Sequence, residues 1–258
     1  MRVKTSAGFS IGYDERGSGD ALPIIFLHGV GSGKSVWRPQ LDHFGRERRA
    51  IAFDYPGYGD SDPASDDTTR DDYAAAILSG MNELGVRRAH VCGLSLGGVV
   101  AIALYDAAPD ACASLILADT FAVHPEGKII YDRSVAGSND LRGMAEARID
   151  LLLAQPADTD FRQETIETMA AIEPAAYRIG AEAVWLADQR ERASLIAVPT
   201  LVLVGSQDLV TPYDLSAELA DLVPDARLQV IEGAGHLSNG ERPDEFNAAV
   251  EDFIAAIN

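Results

Sequence analysis

Gly93-Leu94-Ser95-Leu96-Gly97-Gly98 is the stretch that decides the fold of this 258-residue chain. An apolar run ends at Cys92, directly before it, and an apolar segment with helical spacing follows, so these six residues form a tight turn from a strand into a helix. Glycines at positions 93 and 97 let neighbouring backbone pass close to the serine. The serine then lies on a strained turn with its hydroxyl held away from the sheet. The pattern predicts that Ser95 is a nucleophile.

Short apolar runs alternate with helix-like segments on both sides of this turn. Because the runs lack polar alternation, they are typical of parallel strands that are buried on both faces. The predicted strands cover residues 23–27, 50–53, 89–92, 114–117 and 200–204, and the predicted helices cover residues 72–84, 96–107, 213–222 and 243–257. The alternation predicts an α/β fold with a mostly parallel sheet flanked by helices. The opening residues resemble an antiparallel hairpin at one edge.

Residues 121–193 interrupt this rhythm, because they contain helix-like pieces and no convincing strand. Ligands of open α/β sheets bind at the carboxyl edge of the strands, so we interpret this insertion as a helical cap over that edge. The expected division is a core of residues 1–120 and 194–258 and a cap of residues 121–193. The alternative is a solvated helical excursion without function.

Composition narrows the possible partners. The chain has 40 acidic and 21 basic residues, a formal charge of −19, which argues against nucleic acid and membrane surfaces as partners. Cys92 and Cys112 lie in apolar runs without metal-binding spacing, so we expect buried cysteines and no metal. The first eight residues contain no apolar segment, so we expect a cytoplasmic protein. The sequence makes no prediction of the oligomeric state.

A serine hydroxyl attacks only when a base removes its proton. Of five histidines, His236 is the candidate, because it lies in a glycine-flanked loop after the strand-like residues 227–231. Asp208 follows the strand at 200–204 and would orient that histidine. Enzymes that hold a serine on this kind of strand-to-helix turn have their three catalytic residues in the chain order serine, acid, histidine. Asp119 also follows a strand and is the alternative acid.

The reaction also needs donors for an oxyanion. We expect the backbone N–H groups of Val30, in the loop after the strand at 23–27, and of Leu96, next to the serine. The neighbouring Gly31-Ser32-Gly33-Lys34-Ser35 imitates the end of a P-loop. The first glycine of that motif is replaced by His28, so a nucleotide site is not expected.

Together, His28-Gly29, the turn at residues 54–61, Gly93 to Gly98, Gly205 to Asp208 and Gly235-His236 resemble the α/β-hydrolase superfamily. Residues 35–41, 85–98 and 141–145 are similar to those of β-ketoadipate enol-lactone hydrolases. This resemblance implies an eight-stranded sheet with a cap after the sixth strand. It also implies cofactor-free hydrolysis of a small enol-lactone in aromatic catabolism.

The predicted activity is hydrolysis of a small carboxylic ester or lactone through an acyl-enzyme. One alternative is cleavage of a carbon–carbon bond in a ring-fission product by the same three residues. The other is a catalytically silent binding protein on this fold. For the substrate pocket we expect Trp37 and the cap residues Arg142 and Met144, with an arginine meeting a substrate carboxylate.

Overall fold

The computed structural model describes residues 1–257, which form a mostly parallel seven-stranded sheet flanked by helices. β4, β5 and β6 are buried at every position, as their unbroken apolar sequences predict. The strands are β1 (Arg2–Lys4), β2 (Ser10–Leu27), β3 (Arg48–Phe53), β4 (Ala89–Leu94), β5 (Cys112–Ala118), β6 (Thr200–Gly205) and β7 (Ala226–Ile231).

Eleven α-helices and two short 3-10 turns surround the sheet within the described residues. The helices are α1 (Arg38–Phe44), α2 (Arg70–Glu83), α3 (Leu96–Ala107), α4 (Gly127–Gly137), α5 (Leu141–Leu152), α6 (Thr159–Ala170), α7 (Pro174–Trp185), α8 (Arg190–Ser194), α9 (Tyr213–Leu222), α10 (Ser238–Glu241) and α11 (Pro243–Ile257). α3 is apolar on all sides and packs against α2, β2, β4 and β5. It is therefore a core helix, as its composition requires.

The sheet has seven strands instead of the expected eight, because two of the expected strands form the single strand β2. Its first half pairs antiparallel with β1 and also runs along β3, where Tyr13 faces Phe53 and Arg16 faces Ala50. Its last part, residues 24–27, pairs with residues 50–53 of β3 in the opposite sense. The chain doubles back between these two parts, where Gly17 has a φ of 77°, and the sequence pattern alone does not reveal that the two segments are continuous.

The parallel pairing brings five loops to one edge of the sheet. The end of β2 pairs with β4, which pairs with β5, which pairs with β6, which pairs with β7, and all of these pairs are parallel. The loops that begin at their carboxyl ends contain Val30, Ser95, Asp119, Asp208 and His236. The candidate residues therefore share the edge at which open α/β sheets bind ligands.

The segment between β5 and β6 is helical, as predicted, and contains α4 to α8. α6 begins at Thr159, because the side chain of Asp158 accepts the Phe161 N–H at 2.9 Å. Such a cap satisfies a backbone donor that has no partner in the helix. Pro174 opens α7, a position where its missing N–H has no cost.

No helix within residues 1–257 combines the length and the apolar character needed to cross a bilayer. Cys92 and Cys112 are buried in strands β4 and β5, where burial raises the pKa of both thiols, that of Cys112 to about 12.

The close packing of Gly97 in the turn at Ser95 leads to a prediction about stability. A methyl group on Gly97 would lie 2.0 Å from the carbonyl oxygen of Leu27, so Gly97→Ala should lower the free energy of unfolding by about 3 kcal/mol or more. Gly31→Ala is the matched control, because the nearest atom there is the flexible sulfur of Met169 at 3.4 Å. Urea unfolding measures both variants, and equal stabilities would contradict the steric argument.

Candidate active site

Ser95 lies in the turn between β4 and α3 with a left-handed backbone, φ 56° and ψ −115°. A non-glycine residue in this region costs on the order of 1–3 kcal/mol, which the surrounding structure must offset. A side chain on Gly93 would approach the Gly97 carbonyl oxygen to 2.1 Å. The turn is therefore closed around the serine, and only glycine fits on either side of it.

Ser95, His236 and Asp208 form a hydrogen-bonded row. His236 Nε2 lies 3.1 Å from Ser95 Oγ, and His236 Nδ1 lies 2.9 Å from Asp208 Oδ2. All three residues are less than 5% exposed. Since a carboxylate accepts the Nδ1 proton, Nε2 of the neutral ring faces the serine as an acceptor. The structure thus brings together three side chains that are separated by up to 141 positions in the chain.

The pairing of His236 with Asp208 shifts the pKa values of the two groups in opposite directions. Burial lowers the pKa of His236, but the charge of Asp208 and its hydrogen bond outweigh burial, so the pKa is raised. For Asp208, burial raises the pKa, and the charge of His236 with hydrogen bonds from His236 and Thr211 brings it below its ordinary value. Asp208 therefore stays ionised beside a histidine that readily accepts a proton.

Thr211 is a partner of this row that sequence reasoning missed. Its hydroxyl donates to Asp208 Oδ2 at 2.6 Å and lies 3.2 Å from His236 Nδ1. The N–H groups of Val210 and Thr211 donate to Asp208 Oδ1 at 2.8 and 2.9 Å. The carboxylate is therefore held on both oxygens. The signal in the sequence was the spacing Asp-x-x-Thr, which is typical of a side chain closing its own turn.

Asp119, the alternative acid, lies beside this row and forms no hydrogen bond with His236 in the described structure. Its carboxyl accepts the Gly205 N–H at 2.8 Å and forms a hydrogen bond of 2.5 Å with the Ser238 hydroxyl. Burial, followed by repulsion from Asp208, raises the pKa of Asp119 to about 8. Geometry therefore favours Asp208 as the partner of the histidine.

The loop after β2 lies against the serine, since a methyl group on Gly29 would be 3.5 Å from Ser95 Cβ. The Gly29 carbonyl accepts hydrogen bonds from His28 Nδ1 at 2.8 Å and from the Ser32 N–H at 3.3 Å. In a trans peptide the N–H points opposite to the C=O, so these bonds fix the direction of the Val30 N–H. Burial lowers the pKa of His28, which braces the loop as a neutral ring.

The peptide after Ser95 is fixed in the same way. The Ser95 carbonyl accepts the Thr120 hydroxyl at 2.8 Å and the Gly98 N–H at 2.9 Å, which directs the Leu96 N–H to the other side. Leu96 is the first residue of α3, so its N–H has no partner inside the helix. The helix terminus also favours negative charge at this point. Thr120 is a second residue that the sequence did not single out.

The P-loop-like stretch has a structural role. Lys34 Nζ lies 2.7 Å from Asp54 and 2.8 Å from Asp60, and the Lys34 N–H donates to Asp54 at 2.8 Å. These contacts tie the end of the Val30 loop to the turn after β3. Within residues 1–257, no three His, Cys, Asp or Glu side chains are placed to hold a metal ion.

A cavity of about 170 Å³ opens above Ser95 and His236. Helices α5, α6 and α7 provide nearly half of the lining residues, the loop after β2 with the start of α1 provides most of the others, and the surface is largely apolar. The wall includes Val30, Ile149, Leu152, Phe161, Met169 and Tyr177. The helical insertion thus encloses the space next to the serine.

Trp37, Arg142 and Met144 do not line this cavity, contrary to our expectation. Trp37 is a core residue, fully buried and stacked on Phe26 with ring centroids 4.9 Å apart. Arg142 is half-exposed and pairs with Glu167 at 2.9 and 2.6 Å, while Met144 packs against α4. Helical spacing identifies the faces of α5, but the packing of α5 decides which face meets the cavity.

Arg148, on the same helix, is the arginine that does line the cavity. It is half-buried, its Nη1 lies 3.5 Å from the Tyr177 hydroxyl, and it forms no ion pair with any residue of the described chain. Its charge reaches the hydrogen-bonded row, where it opposes Asp208 by lowering the pKa of His236. Arg38, at the cavity wall, is paired with Glu164 at 3.5 Å.

The insertion is also bonded directly to the histidine loop. The His236 N–H donates to the Leu152 carbonyl at 2.7 Å. The partly buried carboxylate of Glu241 accepts the Gly235 N–H at 2.9 Å and the Ala154 N–H at 2.7 Å. The end of α5 and the loop of His236 are therefore held together as one unit.

Known proteins resemble the chain over nearly its whole length. A model of the alpha/beta hydrolase family matches residues 24–249. The chain is 26% identical to 3-oxoadipate enol-lactonase 1 of Acinetobacter baylyi, over 100% of this chain and 97% of that protein. It is 28% identical to a 2-hydroxy-6-oxononadienedioate/2-hydroxy-6-oxononatrienedioate hydrolase of Cupriavidus pinatubonensis, over 95% of this chain and 91% of that protein. A solved structure of a thermophilic esterase from Thermogutta terrifontis, with malate bound, has a TM-score of 0.92 and 26% identity, covering 100% of this chain and 98% of that one.

The raised pKa of His236 is measurable without any substrate. In an NMR titration, His236 should lose its proton above about 6.5, the value of an exposed histidine. Asp208→Asn removes the charge that raises the pKa, so the midpoint should move to lower pH. His28, whose pKa burial lowers, is the internal control: its midpoint should lie below that of His236 in the wild-type protein and should be unchanged in the variant. An unchanged His236 midpoint in the variant would contradict the pairing.

Proposed function

This chain belongs to the α/β hydrolase family, and we propose that it is a serine hydrolase of small carboxylic esters or lactones. The proposal depends on one observation, the row of hydrogen bonds from Asp208 through His236 to Ser95 at the floor of a cavity. Such a row supplies a nucleophile, a base and an orienting acid.

Acylation begins with attack of Ser95 Oγ on the carbonyl carbon of the substrate while His236 Nε2 takes the hydroxyl proton. Asp208 stabilises the imidazolium and remains ionised. The tetrahedral oxyanion accepts hydrogen bonds from the N–H groups of Val30 and Leu96. Each oxyanion donor in such a site is worth roughly 3–4 kcal/mol of transition-state stabilisation. His236 then gives the proton to the leaving alkoxide.

Deacylation uses the same groups in reverse order. His236 removes a proton from a water molecule, which attacks the acyl-enzyme, and the proton returns to Ser95 Oγ. When the substrate is a lactone, the leaving alcohol remains part of the acyl chain, so the site holds a single open-chain product. No step in this sequence calls on a cofactor.

Residues 121–193 act in this proposal as a cap on the core formed by residues 1–120 and 194–258. The support is that α5, α6 and α7 provide nearly half of the residues that line the cavity above the serine. The hydrogen bonds of Leu152 and Ala154 with the histidine loop fix the position of this cap relative to the row of Ser95, His236 and Asp208. The volume of about 170 Å³ suits a small substrate.

We further propose that the substrate carries a carboxylate away from the scissile bond. Arg148 supports this, as a half-buried guanidinium on the cavity wall that has no acidic partner in the described chain. With a formal charge of −19 on the protein, an anionic substrate needs such a local positive charge. The related lactonase and hydrolase are named for acidic compounds, and the esterase structure contains malate.

Cleavage of a carbon–carbon bond is the second candidate function. The relative from Cupriavidus pinatubonensis favours it, since its name describes the hydrolysis of unsaturated oxo-dioates. A panel of enol-lactones, simple esters and vinylogous diketones separates the two activities. Turnover of the diketones with negligible turnover of esters and lactones would replace the first proposal with the second.

Ser95→Ala should abolish the activity. The expected loss of kcat for p-nitrophenyl acetate is on the order of 10⁴-fold or more, because no other group can form the acyl-enzyme. A fluorophosphonate probe should label the wild-type chain at Ser95 and fail to label the variant. Ser194→Ala, at an exposed serine, serves as the control and should behave like wild type. An unlabelled wild-type protein without esterase activity would indicate a binding protein.

Arg148→Gln tests the charge of the substrate. We expect kcat/KM for a carboxylate-bearing ester to fall by roughly 10- to 100-fold, the value of a charge-assisted hydrogen bond, while a neutral ester of equal size changes by about 2-fold or less. Arg142→Gln is the matched control on the same helix, since that side chain is outside the cavity. Equal effects on both esters would exclude recognition of a carboxylate by Arg148.

A further inference from the structure

Asp119 is a fully buried carboxyl that the proposed reaction does not use. It is the first residue after β5 and has a left-handed backbone, φ 46°. Apart from Ser95 and Asp225, no other non-glycine residue within 1–257 has a positive φ. Strained backbone of this kind persists where the surrounding structure holds it, and it is frequent at functional sites.

The two oxygens of Asp119 contact two different loops. Oδ1 accepts the N–H of Gly205, the last residue of β6 and three positions before Asp208. Oδ2 lies 2.5 Å from the hydroxyl of Ser238, two positions after His236, and forms a hydrogen bond with it. One planar group therefore spans the loop of the acid and the loop of the base.

The two loops are packed closely at this point. A methyl group on Gly205 would lie 2.1 Å from the carbonyl oxygen of Gly235. Backbone bonds from Ser206 and Gln207 to residues 231 and 234 join the loops farther along the chain. Asp119 adds a side-chain connection between Gly205, at the end of β6, and Ser238, two positions after His236. Its removal would leave the backbone bonds intact and loosen the part that carries the two catalytic side chains.

The surroundings of Asp119 disfavour a charge. Asp208 and His236 face it from the two loops, Cys92 faces it from β4, and no lysine or arginine of the described chain pairs with it. A second carboxylate beside Asp208 would be buried without a cation, an arrangement in which one group keeps its proton. Burial and the Asp208 charge raise the pKa of Asp119 to about 8, in agreement with this reasoning. At neutral pH Asp119 is therefore mostly protonated, and its proton lies in the hydrogen bond with Ser238.

We propose that Asp119 is a positioning residue, whose uncharged carboxyl holds the Asp208 and His236 loops at the separation at which the two side chains bond. The inference rests on the proposed hydrolase function for its effect on turnover. Asp119 does not touch the reacting atoms in this arrangement. It acts through Gly205 and Ser238 on the distance between Asp208 Oδ2 and His236 Nδ1, which is 2.9 Å.

Asp119→Ala and Asp119→Asn form the test. Alanine removes both bonds, so kcat for p-nitrophenyl acetate should fall by roughly 10- to 100-fold, the range expected when catalytic groups are misplaced, with KM within about 2-fold. Asparagine keeps the shape and the neutrality and should restore kcat to within about 5-fold of wild type. Wild-type kcat in the alanine variant would overturn the positioning role.

The pH profile of Asp119→Asn tests the charge. An ionised Asp119 would raise the pKa of His236, so its replacement would shift the acid limb of kcat/KM to lower pH. An uncharged Asp119 predicts that the acid limb stays in place. A downward shift in the asparagine variant would show a carboxylate and overturn that part of the proposal.

Two measurements on the protein without substrate separate this inference from the proposed function. The downfield NMR resonance of the His236 Nδ1 proton should be present in wild type and Asp119→Asn and lost in Asp119→Ala. The infrared band of a protonated carboxyl should be present in wild type at neutral pH and lost in Asp119→Asn. Glu241→Gln identifies any band from the other buried carboxyl whose pKa is raised.

If the Nδ1 resonance survives in Asp119→Ala, the positioning role is wrong whatever the enzyme hydrolyses. If wild type shows both signatures but cleaves no ester, lactone or diketone, the function fails while the inference on geometry stands. Should Asp119→Ala misfold, as judged by its melting temperature, Ser238→Ala replaces it. That variant removes only the Ser238 bond and should weaken the Nδ1 resonance and lower kcat in the same direction.

Discussion

The left-handed backbone of Ser95 is the constraint on which the site depends. It is possible because Gly93 and Gly97 have no side chains and because the buried helix α3 fixes the chain immediately afterwards. The same turn directs the hydroxyl to His236 and presents the Leu96 N–H at the start of the helix. A relaxed backbone at this residue would turn the hydroxyl away from His236 and redirect the Leu96 N–H, so the packing of the whole sheet offsets the strain.

Behind the reacting atoms, short polar side chains fix the direction of every group. Thr120 holds the carbonyl of Ser95, Thr211 holds the carboxylate of Asp208, and His28 holds the carbonyl of Gly29. Each of these three side chains is buried and forms at least one hydrogen bond, which is the condition under which polar groups stabilise a protein interior. Catalytic geometry here is a property of the peptide planes as much as of the three side chains.

Charge is distributed unevenly between surface and site. The protein as a whole is strongly acidic, yet the cavity next to the serine is largely apolar and has an arginine without an acidic partner on its wall. In such surroundings a single charge acts over a longer range than at the surface. Arg148 and Asp208 consequently pull the pKa of His236 in opposite directions, and Asp208 has the larger influence.

The sequence by itself determined the elbow at Ser95, the parallel sheet, the helical insertion and the choice of His236, because each of these is encoded in local residue order. It left Asp208 and Asp119 as alternatives, since both follow strands that end at the same edge. Only the tertiary structure showed that Asp208 reaches the histidine and that Asp119 bonds to two loops instead. It also merged two expected strands into β2. It also showed that the arginine of α5 that lines the cavity is Arg148 and not Arg142. The two residues are six positions apart, or about 240° around the helix. The physical reason is that periodicity fixes which residues share a face, whereas the face that meets the cavity depends on contacts with α6, α7 and the loop of His236, all distant in the chain.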